Sequence, residues 1–160
     1  MRRNPFARHA RRCASFCRIM LSLIVFAMPL TAQTVRVSEF EDRRKIGIGR
    51  YLTADTFERD LDRSFSDVLI RLPGVRTMSD GGQRVLMSTR DGGKPCRLHI
   101  FLNGAPMGGF VGQVDFDVNT VSTREVLGVE YYTVSTTPPK YATSVKPGIE
   151  ACGTMLIWTK

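Results

Sequence analysis

The sequence predicts an α+β domain: a small mixed β-sheet, two or three short helices and one disulfide. Three observations carry this. Phe65, Val68, Leu69 and Leu72 follow the i, i+3, i+4, i+7 spacing of a buried helical stripe. After Pro73-Gly74 the apolar period changes to two, the spacing of strands. Two cysteines, Cys96 and Cys152, lie in the part of the chain expected to be exported, an even count that allows one intramolecular pairing.

Residues 1–32 read as a secretory signal peptide. Arg2, Arg3, Arg8, Arg11, Arg12 and Arg18 form a basic start without an acid, and Ile19 to Leu30 is apolar. That run is shorter than the roughly 20 residues a spanning helix needs. Cleavage is expected after Ala32; the alternative is an uncleaved N-terminal anchor. Cleavage would remove six of the 23 basic residues and none of the 15 acids, so the mature 128 residues would carry a net charge of +2. The high overall pI is thus mostly a property of the targeting segment, and nucleic-acid binding is not expected. One domain fits this length.

Residues 33–45 read as a flexible leader, with one short strand near Val35–Val37 and a solvated, mixed-charge surface at Arg43-Arg44-Lys45. The domain proper is expected over 46–160. Thr53 is placed to cap a helix from Ala54, with Phe57 and Leu61 sharing a face. Ser64 and Asp67 resemble a capping box for the next helix, which Pro73-Gly74 stops. Val75–Met78 and Arg84–Ser88 are expected strands around "SDGGQ". Cys96 to Leu102 alternates, with Cys96, Leu98, Ile100 and Leu102 on one face and Arg97, His99 and Phe101 on the other. Asn103-Gly104 is a strong hairpin-turn signal. Residues 105–119 read as a loop. Ser122 and Glu125 form an S-x-x-E box for a short helix, Val129–Val134 a strand, 135–151 a long loop and Gly153–Thr159 the last strand.

Catalytic chemistry finds no support in the sequence. His99 is the only histidine after residue 32, and strand alternation points it away from Cys96, so the pair should not share a metal. No nucleophile is marked beside it. The glycine pairs do not form a phosphate loop. Asp115 and Asp117 read as a solvated loop rather than a carboxylate pair. No cofactor and no metal are expected, and the chain is read as a non-enzyme.

Taken in order, these motifs resemble the plug domain of TonB-dependent outer-membrane receptors. "YLTADTFERDLDRSFSDVLIRLPGV" is similar to the opening of a plug, with Thr53, Phe57, Asp67, Leu69, Leu72, Pro73, Gly74 and Val75 on its pattern positions. "CRLHIFLNG" resembles the strand that ends in "D-G", with Asn103 in place of Asp before Gly104. "VLGVEYYTV" resembles the segment after it, and the usual "Y-G" is partly kept as Tyr141-Ala142. "CGTMLIWTK" is similar to the last plug strand, with Cys152 in place of its first glycine and Gly153 kept. The resemblance covers roughly residues 46–160. Thr34, Val35, Arg36 and Val37 resemble a TonB-contact segment that pairs by strand addition.

The resemblance implies a plug fold, with Cys96 and Cys152 on sheet strands. The family's barrel of about 22 strands would need well over about 220 residues, and this sequence has none of it. Three expectations follow. The first is a stand-alone plug-like interaction module in the periplasm or on the periplasmic side of the outer membrane of a Gram-negative-type bacterium. Its partner would be an outer-membrane β-barrel or TonB. The second is a truncated or split TonB-dependent transporter. The third is a small outer-membrane β-barrel, against which the Ser64–Leu72 helix and the single tryptophan argue.

Overall fold

The computed structural model describes residues 28–89, 95–109, 115–142 and 152–160, with side chains from residue 33 onward. The predicted signal peptide up to residue 27, the turn at 90–94, residues 110–114 of the expected 105–119 loop and residues 143–151 of the expected 135–151 loop fall outside them. In chain order the elements are α1 (Met28–Ile46), β1 (Arg50–Thr53), α2 (Ala54–Glu58), α3 (Phe65–Leu69), β2 (Val75–Asp80), β3 (Gln83–Ser88), β4 (Cys96–Arg97), β5 (His99–Leu102), β6 (Ala105–Gly108), β7 (Val126–Tyr132), α4 (Pro139–Ala142) and β8 (Thr154–Thr159). The unit Arg36–Lys160 contains both sheets; Met1–Val35 is a unit of its own. Among the described residues no helix is long and apolar enough to cross a membrane.

The larger sheet is mixed and open, ordered β1-β7-β8-β5-β6. β8 occupies its centre, antiparallel to β7 and parallel to β5. A smaller sheet, β2-β3-β4, is antiparallel. The fold is therefore the expected α+β class with a small mixed sheet, divided in two.

The sheet faces sort by alternation. Val129, Tyr131, Met155, Ile157 and Ile100 point inward, where Phe57, Phe65, Val68, Leu69, Leu72 and Leu86 join them in the main core. Gly128, Glu130 and Tyr132 alternate with the inward set on β7 and face the other way, as do Leu156 and Trp158 on β8 and Phe101 on β5. This outer face is covered by Phe40 from α1 and Tyr141 from α4. The face assignment read for Ile100, Leu102 and Phe101 holds, but the stretch is split into β4 and β5, with Leu98 between them donating its N–H to Leu86 O at 3.1 Å.

Three links join the two sheets on the inner side. One is that backbone bond. The second is a buried contact between Ser88 Oγ and the Tyr131 hydroxyl at 3.0 Å. The third is the Cys96–Cys152 pair, whose Cα atoms lie 5.8 Å apart, inside the range a disulfide spans. Cys96 opens β4 of the smaller sheet and Cys152 precedes β8 of the larger, so the pair clamps one sheet to the other rather than clasping a single sheet.

Residues 33–45 depart from expectation. They are helical, as part of α1, instead of a flexible leader with a strand at Val35–Val37. Pairs at helical spacing explain it: Glu39–Arg43 (3.6 Å), Glu41–Arg44 (2.7 Å) and Asp42–Lys45 (3.7 Å). Three basic residues stand in the last turn, against the helix's negative end. Gly47, at φ 75°, closes the helix with its N–H directed at Arg43 O and Arg44 O. The segment Thr34, Val35, Arg36 and Val37, expected to be extended, is thus helical.

Smaller corrections follow. Thr53 sits at the N-cap of α2 without a side-chain cap bond, and Ser122 likewise does not cap the 3-10 turn Thr123–Glu125. Ser64 Oγ does accept from Asp67 N, which is half of the expected box. Residues 105–108, read as loop, are edge strand β6. Its Pro106 is tolerated because an edge strand needs no donor on its open side. Asp117, read as solvated loop, accepts from Asn119 N at 3.0 Å and caps the turn Val118–Thr120, while Asp115 pairs with Arg97 at 2.6 Å.

Candidate functional site

The outer face of the larger sheet holds the densest polar cluster among the described residues. At its centre is Glu130, fully buried on β7. Its carboxylate accepts four hydrogen bonds. Arg43 of α1 gives two, from Nε at 2.9 Å and Nη2 at 3.0 Å. The Tyr132 hydroxyl gives one at 2.5 Å and Trp158 Nε1 another at 2.5 Å. A buried carboxylate without such partners would be strongly destabilising, and here both oxygens are engaged.

The elements place these groups by register. Glu130 and Tyr132 share a face of β7 because they are two apart. Trp158 faces the same way from β8, opposite Gly128. Tyr51 arrives from β1, its hydroxyl donating to Arg43 O at 2.7 Å and lying 3.0 Å from the Tyr132 hydroxyl. The Arg43 guanidinium stands 5.1 Å from the Trp158 ring centre and 5.9 Å from that of Tyr141, within cation–π range. Phe40, one turn before Arg43, fills the space above Gly128, where a Cβ would collide with its ring.

The electrostatics follow from burial and pairing. Burial alone would lower the Arg43 pKa, but the hydrogen bonds to Glu130 and its charge outweigh this and raise it. Burial pushes the Tyr132 hydroxyl well above its ordinary value, and its bond to Glu130 adds to the shift. Tyr51 rises too, chiefly through burial, with the Tyr132 contact opposing. Beside the cluster a cavity of about 430 Å³ is lined by Arg43, Ile46, Ile48, Tyr51, Pro138 and Pro139 among others. Because the charge of Arg43 is matched by Glu130, this site is suited to holding an element in place by charge and shape.

The sequence reading assigned Arg43 to a solvated surface, and that holds only for its neighbours. Arg44 and Lys45 are exposed and paired locally; the Arg43 side chain is 18% exposed and its acid lies 87 positions away. The signal available in the sequence was Glu130 itself, an acid inside the apolar run "VLGVEYY".

None of the other sequence-selected site residues contributes a side chain to this cluster among the described contacts. Phe57 and Leu69 are fully buried in the main core. Asp67 is exposed in the first turn of α3, and Pro73 is exposed before Gly74, which adopts φ 88°. Asn103 (φ 52°) and Gly104 (φ 84°) form the two-residue turn between β5 and β6. Asn103 also anchors β8: its Nδ2 donates to Thr159 Oγ1 at 2.8 Å and its Oδ1 accepts from Thr159 N at 3.0 Å. Gly153, at φ 125°, passes so close to Tyr132 O that a side chain would clash. His99 is buried on β5; burial lowers its pKa, opposed by the hydrogen bond it donates to the backbone of Gly109.

No protein-family model matches the chain, and no curated protein matches it.

Proposed function

We propose that the chain is a plug-like, non-enzymatic interaction module of the bacterial envelope, linked to outer-membrane transport. One observation carries the reading. The two most plug-like strands, "CRLHIFLNG" and "GTMLIWTK", lie side by side: β5 runs parallel to β8 from His99↔Thr154 to Leu102↔Ile157. The Asn103-Gly104 turn is then tied to Thr159 by the Asn103 side chain. Motifs 55 positions apart in the sequence, His99 and Thr154 among them, thus lie side by side, which supports reading them as parts of one plug-like domain. Phe57 and Leu69, other plug-pattern positions, are buried in the core on the inner side of the same sheet.

The larger sheet also favours a module over a small barrel. It is open at β1 and β6, and its longest strand, β7, has seven residues, whereas a spanning strand needs about 9–11. The partner on this reading is an outer-membrane β-barrel or TonB.

Affinity purification of the tagged chain from native envelopes in mild detergent tests it. Co-purification of a heat-modifiable barrel protein or of TonB, at a constant ratio to the chain, is the expected result. Recovery of neither at native expression contradicts the proposal.

A further inference from the structure

α1 meets the outer face of the sheet through two side chains one turn apart. Phe40 occupies the socket over Gly128, and Arg43 makes a two-point bond to Glu130. Gly128 and Glu130 are two positions apart on β7, so socket and carboxylate face the same way. Phe40 and Arg43 are three apart on the helix, so they share a side. The two patterns are complementary: an aromatic residue followed three positions later by an arginine matches a glycine followed two positions later by an acid. Lys140 of α4 adds an exposed pair with Glu39 at 3.3 Å.

The connection to the sheet is Gly47-Ile48-Gly49. Gly47 adopts φ 75° and Gly49 φ 146°. A Cβ at Gly47 would meet nothing within 4 Å, so its glycine serves backbone conformation rather than space. Away from the sheet the helix is solvated, with Val37 and Ile46 exposed and the Glu41–Arg44 and Asp42–Lys45 pairs in water.

We propose that residues 36–46 are a hinged cover seated on a docking face, and that this face takes a cationic helix carrying the Phe-x-x-Arg pattern. Gly128 is the socket for the aromatic ring. Glu130 selects the arginine, because with α1 displaced it keeps Tyr132 and Trp158 as donors and lacks the two guanidinium bonds. Lysine supplies a point charge and cannot restore the paired geometry. The chain's own α1 is the occupant in cis; a partner helix of this chemistry is the occupant in trans. The inference stands on this geometry and is independent of the plug reading.

The test uses the full chain carrying Phe40→Ala and Arg43→Gln, which loosens its own cover. The probe is a synthetic peptide of residues 33–47. Trp158 is the only tryptophan and donates to Glu130, so its emission reports occupancy. The native peptide should produce a saturable change, and peptides with Arg43→Lys or Phe40→Ala should bind roughly tenfold more weakly or worse. Hydrogen exchange on the unaltered protein supplies a readout that does not depend on the variant folding. Amides of 36–46 should exchange as a group, and faster than those of β7 and β8. The proposal is overturned by the absence of saturable binding to a folded variant, by equal binding of the three peptides, or by α1 protection equal to that of β7 and β8.

Discussion

Arg43 and Glu130, 87 positions apart in the chain, meet in a two-point hydrogen bond at 2.9 and 3.0 Å on the outer face of the sheet. Removing one partner of a buried pair leaves the other uncompensated, at a cost of roughly 3–5 kcal/mol. Glu130→Ala should therefore destabilise the protein by about that amount, seen as a lower urea midpoint. Glu130→Gln keeps the shape but turns an acceptor into a donor that faces Arg43 in either orientation, so it should fall on the same side, with a smaller loss.

Phe40 and Gly128 form the second contact and predict non-additivity. Gly128→Ala alone drives a methyl group into the Phe40 ring and should lower stability by about 1–3 kcal/mol, the usual cost of overpacking. In the Phe40→Ala background the same change should cost far less. A double-mutant cycle measures this. Equal costs in both backgrounds would show that the helix does not sit where described.

The Cys96–Cys152 pair closes a separation of 56 residues. On the chain-entropy account this contributes about 4 kcal/mol, acting on the unfolded state. The double change Cys96→Ala with Cys152→Ala should lower the unfolding midpoint accordingly while keeping both sheets. Mass spectrometry of the unreduced protein should find the two cysteines joined, and two free thiols would refute the pairing.

Stability should fall at both ends of the pH scale. Burial lowers the His99 pKa, so the unfolded chain takes up a proton near pH 6.5 that the folded chain does not. The contribution of neutral His99 is full above about pH 6.5 and is lost as pH falls toward the lower folded value. Tyr51, Tyr132 and Tyr141 are all raised, chiefly by burial. Their contribution is full below about pH 10 and lost above it, because the unfolded chain releases those protons first. Urea titrations across pH should show both limbs, and His99→Gln should flatten the part of the acid limb just below pH 6.5.

Much of the inner half of the fold was legible in the sequence. The helical stripe at Phe65–Leu72, the alternation at Leu98–Leu102 and the Asn103-Gly104 turn each depend on local rules, and each recurs in the structure. The outer half was not legible. "TVRV" alternates and is rich in β-branched residues, which favours a strand, yet ion pairs at helical spacing and the Phe40 and Arg43 anchors hold it as helix. Only one of those anchors is apolar, so periodicity has little to detect. The partner of Arg43 lies across the fold, and nothing near either residue announces the other. β6 was hidden by Pro106 and by the glycines in and beside it, Gly104, Gly108 and Gly109, which read as loop unless the strand is known to be an edge.

The measurement that tests the proposed function most directly is site-specific photo-crosslinking in the native envelope. The probe would replace Val134 or Met78, both exposed apolar residues on the described surface. The plug-like reading predicts a discrete crosslink from at least one position to an outer-membrane barrel protein or to TonB. Free monomer at both positions, recovered from the soluble periplasm, would contradict it.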